Sequence, residues 1–293
     1  MKKAEIDHQM SSRTLALLVP VVGSFLYAIN DVAGLGIIFN VESIVRIYLP
    51  SIVAATYSET RKRGSFPITL QAMGLSLGVF ISCFDFLVSL SVAGDAKQFY
   101  GVIGSCFLGI FHGGLIASLG YFFSRQSMLD CSPVSSLRDN FAYVSIVLTT
   151  VAVSLALKEV TLHPFIEINT IVIFGSIIGM VLILSGKQLT VKRFTRGLVF
   201  AVSAPALLSI IGWVISYPDP RSAGPAVAIG LLGILYGSFC LLLCALVCTR
   251  NSENVKHLWR ANWHLLEIYA LVVLVIFSPV SIIELLETSP SGP

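Results

Sequence analysis

The chain has 293 residues, 55% of them apolar and only 12% charged, with a net charge of +3 and a mean hydropathy of +0.86. Soluble domains carry about 25% charged residues, so this composition excludes an ordinary water-soluble globular protein and points to an all-α, polytopic membrane protein. No basic stretch with interleaved aromatics is present, which excludes the usual nucleic-acid-binding surface.

In chain order, about nine apolar segments approach the roughly 20 residues that a helix needs to cross a bilayer. They run over 14–30, 35–56, 67–93, 99–123, 141–157, 165–185, 194–216, 223–248 and 265–285, the first and fifth being short. Lys2, Lys3 and Arg13 precede the first span; Arg61, Lys62 and Arg63 follow the second; Arg125 and Arg138 follow the fourth. Lys187, Lys192, Arg193 and Arg196 follow the sixth, and Arg250, Lys256 and Arg260 the eighth. The alternate loops carry only Lys97, Lys158 and Arg221. The positive-inside rule therefore places the N-terminus and the richer loops in the cytoplasm, and the tail after the ninth span outside. The N-terminal segment has no convincing small-residue cleavage site, so a retained span is expected rather than a signal peptide.

Cysteine usage gives no disulfide framework, because Cys83, Cys106, Cys240, Cys244 and Cys248 all lie in apolar spans. Cys240, Cys244 and Cys248 share one helix face, yet no His or carboxylate joins them, and a Cys in an apolar helix ordinarily acts as a small hydrophobe. Neither a metal nor a cofactor is expected.

An internal repeat organises the chain. FLGIFHGG (107–114) matches LLGILYGS (231–238), pairing Gly109 with Gly233, His112 with Tyr236 and Gly113 with Gly237. FNVESIV (39–45) likewise matches IEINTIV (166–172). Two four-span repeats follow, 14–124 and 141–249, joined by the polar connector 125–140. Before them lies a cytoplasmic N-terminus, 1–13; after them come a basic linker with the ninth span, 250–285, and a tail, 286–293. Four spans return the chain to its starting side, so the repeats are parallel rather than inverted. Gly233 and Gly237 form a GxxxG step, where a second helix backbone can approach closely.

SAPALLSIIGWVIS (203–216), the link YPDPRSAGP and the helix 223–248 resemble the last two transmembrane helices of the MotA/TolQ/ExbB proton-channel family. There a Pro-Ala-Met-Gly-type helix, a Pro-containing loop and a Gly-Pro-Ala-φ-Ala…Leu-Tyr-Gly helix follow one another. Pro205, Ala206, Pro225, Ala226, Ala228, Tyr236 and Gly237 stand at those places. The stretches 39–56 and 165–183 resemble the family's second helix, with Glu42 and Asn169 where its proline stands. The resemblance covers about 240 residues and is tightest over 203–238. It implies an ion-gradient-coupled (proton or sodium) channel or stator-type subunit in a bacterial inner membrane. Homo-oligomers, a single-span MotB/ExbD-like partner and surrounding lipid would accompany it. The gaps 57–66 and 186–193 are too short for the domain with which flagellar stators engage a rotor.

Against that resemblance, the family's channel-facing threonines are replaced: Gly233 and Ile234 stand in one helix, and Gly212 or Trp213, with Ser209 nearby, in the other. Intramembrane charges are costly and are functional hypotheses by default. Asp85 is the most deeply placed acid, either a proton carrier or one half of a helix-binding pair with Arg46 or His112. Glu42 and Glu167 read better as carboxylates at helix N-termini. His112 titrates in a useful range, although a lone His at a packing face is more often structural. WHLLEIYALVVLVIFSPVSI (263–282) is similar to the single span of the ExbD-type partner, with Glu267 at the acid's place. The blander reading is an anchoring helix whose Glu267 snorkels beside His264 and Arg260.

The ion-pathway candidates are thus Asp85, Glu267, His112 and Ser209. The helix hinge and packing candidates are Pro205, Pro225, Gly109, Gly113, Gly233 and Gly237. No catalytic motif is present, so an enzyme is not expected. The alternative to an ion-coupled subunit is a non-conducting membrane scaffold or transporter that keeps the fold.

Overall fold

The computed structural model describes residues 41–61, 65–92, 96–124, 137–186, 190–216, 220–248 and 252–287. Within them run eight α-helices: α1 (Val41–Arg61), α2 (Phe66–Val92), α3 (Ala96–Ser124), α4 (Leu137–Leu157), α5 (Ile168–Ser185), α6 (Val191–Ser216), α7 (Pro220–Cys248) and α8 (Ser252–Glu287). A single 3₁₀ turn, His163–Phe165, separates α4 from α5. Each helix answers an apolar run in the sequence. The expected span 14–30 and the N-terminus 1–13 lie outside the described residues. Glu42–Pro293 form one compact unit.

Among the described residues, five helices are long and apolar enough to cross a membrane, over 66–90, 168–185, 191–215, 225–245 and 254–275. The chain is therefore a multi-pass helical membrane protein. The segments 107–123 in α3 and 144–157 in α4 are apolar but shorter. α1 is described from Val41 onward and carries Glu42 and Arg46 inside the helix.

α2 is the axis of the bundle. Its most apolar stretch is 94% buried, against 11% for α5, although both are apolar all round. A helix of that kind must be covered on every side, by protein or by lipid. α3 and α7 lie along α2, α8 also touches it, and α6 joins α7, α8 and α5. α5 presents Ile168, Val172, Ile183 and Leu184 outward, a surface only lipid covers without cost.

Small residues set the closest approach. A Cβ on Gly78 would stand 2.6 Å from the Gly109 carbonyl oxygen, and one on Gly113 would strike the Gly74 carbonyl and the Gly78 backbone. The α2 and α3 backbones are thus in direct contact, as small-residue interfaces permit in membranes. Ser82 uses that proximity, accepting a hydrogen bond from the Ile110 amide at 3.0 Å. Between α6 and α7 the glycines face side chains instead: Gly233 meets Pro205, Gly237 meets Val202, and Gly230 meets Ser209.

The ninth expected span is α8, a helix of 36 residues that begins well before residue 265. It is bound into the bundle through Leu258, Ala261, Leu265, Tyr269 and Val272, all buried. A buried hydrogen bond from the Ser76 hydroxyl to the Asn262 side-chain carbonyl, 2.7 Å, ties it to α2. Such polar contacts hold membrane helices in register where apolar packing alone would let them slide.

Candidate functional site: a buried ion ladder on α1 and α2

Asp85 lies on α2 among Phe84, Phe86 and Leu87, and is 5% exposed. A carboxylate so placed must be paired or neutral. Its partner is Arg46, the largest fully buried side chain, 2% exposed, on α1. The guanidinium is bidentate: Nη1 donates to Oδ1 at 2.7 Å and Nη2 to Oδ2 at 2.8 Å. This fork-on-fork geometry is the strongest arrangement available to a carboxylate. Of the two partners the sequence offered, the structure selects Arg46.

The pairing continues outward. Glu42, one helical turn before Arg46, approaches its Nη2 at 3.1 Å. Lys158, just past the end of α4, reaches Glu42 at 2.9 Å. Two acids and two bases alternate from Asp85 to Lys158, so the ladder is neutral overall. Its inner pair is dry, while Glu42 and Lys158 are each 29% exposed. Glu42 is therefore a member of an ion network as well as an acid in the first described turn of α1. Glu167 does cap: it accepts from the amides of Asn169 and Thr170 and from the Thr170 hydroxyl at the start of α5.

Arg46 also borders a cavity of about 280 Å3 between α1 and α4, which Pro50, Ser145, Thr149 and Thr150 help to line. Its Nε has no hydrogen-bond partner among the described residues. The guanidinium thus lies between Asp85 and Glu42, with its Nε left unbonded.

His112, on α3, is 3% exposed and meets Tyr48 of α1, whose hydroxyl lies 3.3 Å from Nδ1. The rings meet edge to face, 5.6 Å apart. Tyr236 on α7 makes the corresponding contact with Phe174 of α5, at 5.9 Å. It also donates to the Phe165 carbonyl at 2.7 Å. Phe165 in turn stacks on Phe84, next to Asp85, with centroids 4.6 Å apart.

The four ion-pathway candidates do not meet. Ser209, 1% exposed, is packed against Gly230. Glu267 sits on the outer face of α8, its side chain 66% exposed and 3.0 Å from His264. Asp85 and His112 lie on neighbouring helices but bind different residues of α1. Pro205 and Pro225 both lie inside continuous helices. No group of three or more His, Cys, Asp or Glu suited to a metal occurs among the described residues.

Lys158, Tyr48 and Phe165 were not singled out by the sequence. Lys158 carried a signal, being one of three cations in the alternate loops. Phe165 and Tyr48 carried none, since each is one aromatic among many.

Compared with known proteins, the chain matches no family model, no curated protein and no solved structure.

Proposed function

We propose that the chain is a multi-pass subunit of an ion-gradient-coupled, energy-transducing complex of a bacterial inner membrane, built on the plan of the MotA/TolQ/ExbB channels. Asp85 is its proton acceptor and Arg46 the latch that holds it. The observation that carries this reading is the dry bidentate pair. A buried ion pair adds little net stability over well-packed apolar residues, and charges within membrane spans mark ion paths more often than not. Protonation of Asp85 would cancel the attraction and return Arg46 to Glu42, loosening α1 from α2. Proton arrival would thus be converted into helix movement.

The N-terminus is cytoplasmic on this reading, following the distribution of Lys and Arg. The two four-span halves arose by duplication, and copies of the chain assemble around, or beside, a single-span MotB/ExbD-like partner. Glu267, on the outer face of α8, is then available to a neighbouring chain rather than to its own bundle.

A second reading, a non-conducting scaffold or transporter, draws support from the engagement of both Asp85 oxygens and from the packing of Ser209 under Gly230. Proton flux into proteoliposomes under an imposed gradient separates the two. The first reading expects flux that Asp85→Asn abolishes and Arg46→Gln alters. Identical flux in the wild type and both variants would favour the scaffold.

A further inference from the structure

The first turns of α6 and the adjoining turns of α8 enclose a second cavity, of about 490 Å3, which the proposed ion coupling does not use. Lys192, Arg196, His257, Arg260 and His264 line it around the buried Thr195, and Phe200 forms part of its wall. No carboxylate lines it among the described residues. His264 has an acidic neighbour, Glu267, outside the lining. Lys192, Arg196, His257 and Arg260 pair with no carboxylate among the described residues. Three permanent cations around one space repel each other, and an anion in that space removes the repulsion.

The depth of the cavity points to the anion's chemistry. From Gly197 to Ile215 α6 carries no charge, and at 1.5 Å per residue this stretch matches a hydrocarbon core of about 30 Å. Lys192 and Arg196 therefore stand in the headgroup layer. On α8, Trp259 and Trp263 meet edge to face at 6.0 Å, at the level of Arg260. Paired Trp residues at that height are interfacial anchors. Phe200, 75% exposed, offers an apolar surface beside the cations. Cations over a cavity with an apolar wall suit a ligand with a charged head and an acyl tail, and basic pockets between membrane helices bind phosphate headgroups.

We propose that this cavity binds a phosphate-bearing anion, gripped by the Arg196 and Arg260 guanidiniums, with the headgroup of an anionic phospholipid as its source. A free phosphate compound shares the same chemistry. Guanidinium forks fit phosphate oxygens bidentately, and Lys192 adds a point charge.

The test is a thermal-shift and native mass-spectrometry titration of the full chain in uncharged detergent. Phosphatidylglycerol, phosphatidylcholine and inorganic phosphate form separate arms. The expected result is a shift with phosphatidylglycerol, little with phosphatidylcholine, and affinity reduced at least about tenfold in R196Q/R260Q. Lys192→Gln, an exposed single change, gives a smaller loss in the same direction and serves if the double variant folds poorly. An Arg-dependent shift with inorganic phosphate alone keeps the site and assigns it to a soluble anion. Equal binding by the wild type and variants, or equal binding of phosphatidylcholine, overturns the proposal. Neither outcome bears on proton flux through Asp85.

Discussion

The α2–α3 pair and the α6–α7 pair occupy corresponding places in the two halves of the sequence, and they are packed in the same register. Gly113 lies against Gly78 in the first, and Gly237 against Val202 in the second; both members of the contact are displaced by 124 residues. Both halves also hold an aromatic contact at these positions, His112 with Tyr48 and Tyr236 with Phe174, although the partners are displaced by 126 residues rather than 124. These shared contacts support a duplication. What differs is chemistry: the first pair brings backbone to backbone and carries Asp85, whereas the second brings glycine to side chain and carries Ser209 at Asp85's place. The first half therefore holds the buried acid, and the second half places a neutral hydroxyl at the corresponding position.

That contrast predicts unequal sensitivity to substitution. Asp85→Ala leaves Arg46 buried and uncompensated on its inner side, which costs about 3–5 kcal/mol. Ser209→Ala, at the corresponding place, should stay below about 1 kcal/mol. Unfolding of the purified protein in detergent measures both. Arg46→Met combined with Asp85→Leu should recover most of the loss, since it removes both charges together. Equal, small effects of Asp85→Ala and Ser209→Ala would contradict the asymmetry.

A smaller difference is expected at the glycines. Gly113→Ala drives a methyl into the α2 backbone, which cannot yield without parting the helices, at about 1–3 kcal/mol. Gly237→Ala meets the Val202 γ-methyl, the end of a side chain, and should cost less. The same unfolding assay ranks the two. A larger effect at Gly237 would mean that the second pair, not the first, sets the helix spacing.

Tyr236→Phe removes a 2.7 Å hydrogen bond to the Phe165 carbonyl and should cost about 1 kcal/mol. Tyr48→Phe removes a 3.3 Å contact and should cost less. A loss at Tyr48 equal to that at Tyr236 would show that His112 is held as firmly as Phe165.

The helices were legible in the sequence because each is a long apolar run, and hydropathy reports burial in lipid and in protein alike. For the same reason it could not tell α2 from α5. Both are apolar throughout, and only packing decides which one protein covers. The partnership of Asp85 with Arg46 was legible as one of two options, since an intramembrane acid needs a counter-charge and few exist. The extension to Lys158 was not, because a loop cation has no fixed address along the chain. Glu267 shows the converse limit. Its place in a pattern suggested a partner-type acid, but the face that α8 buries runs through Leu258, Leu265 and Tyr269 and leaves Glu267 outside beside His264, as the snorkelling alternative expects.

Glu42 and Glu167 sharpen the comparison last, at the smallest energy. Both are acids at helix starts, but Glu42 also pairs with Arg46 and Lys158, whereas Glu167 binds the amides of its own helix. Burial is the largest single influence on Glu167 and opposes its ionisation, but the hydrogen bonds from Thr170 and Asn169 together outweigh it and hold its pKa below the ordinary carboxylate value. A depressed folded-state pKa contributes stability at pH values above the unfolded value, and that stability is lost as pH falls through the folded one. Glu167→Gln keeps an acceptor and removes the charge, so it should cost about 0.3–1 kcal/mol near neutral pH. The difference from the wild type should shrink as pH drops below the ordinary carboxylate range. Unfolding curves of both proteins across acidic to neutral pH make the measurement. A difference that stayed constant with pH would mean the cap acts through shape rather than charge, and Glu167 would then resemble its neighbour Thr170 more than it resembles Glu42.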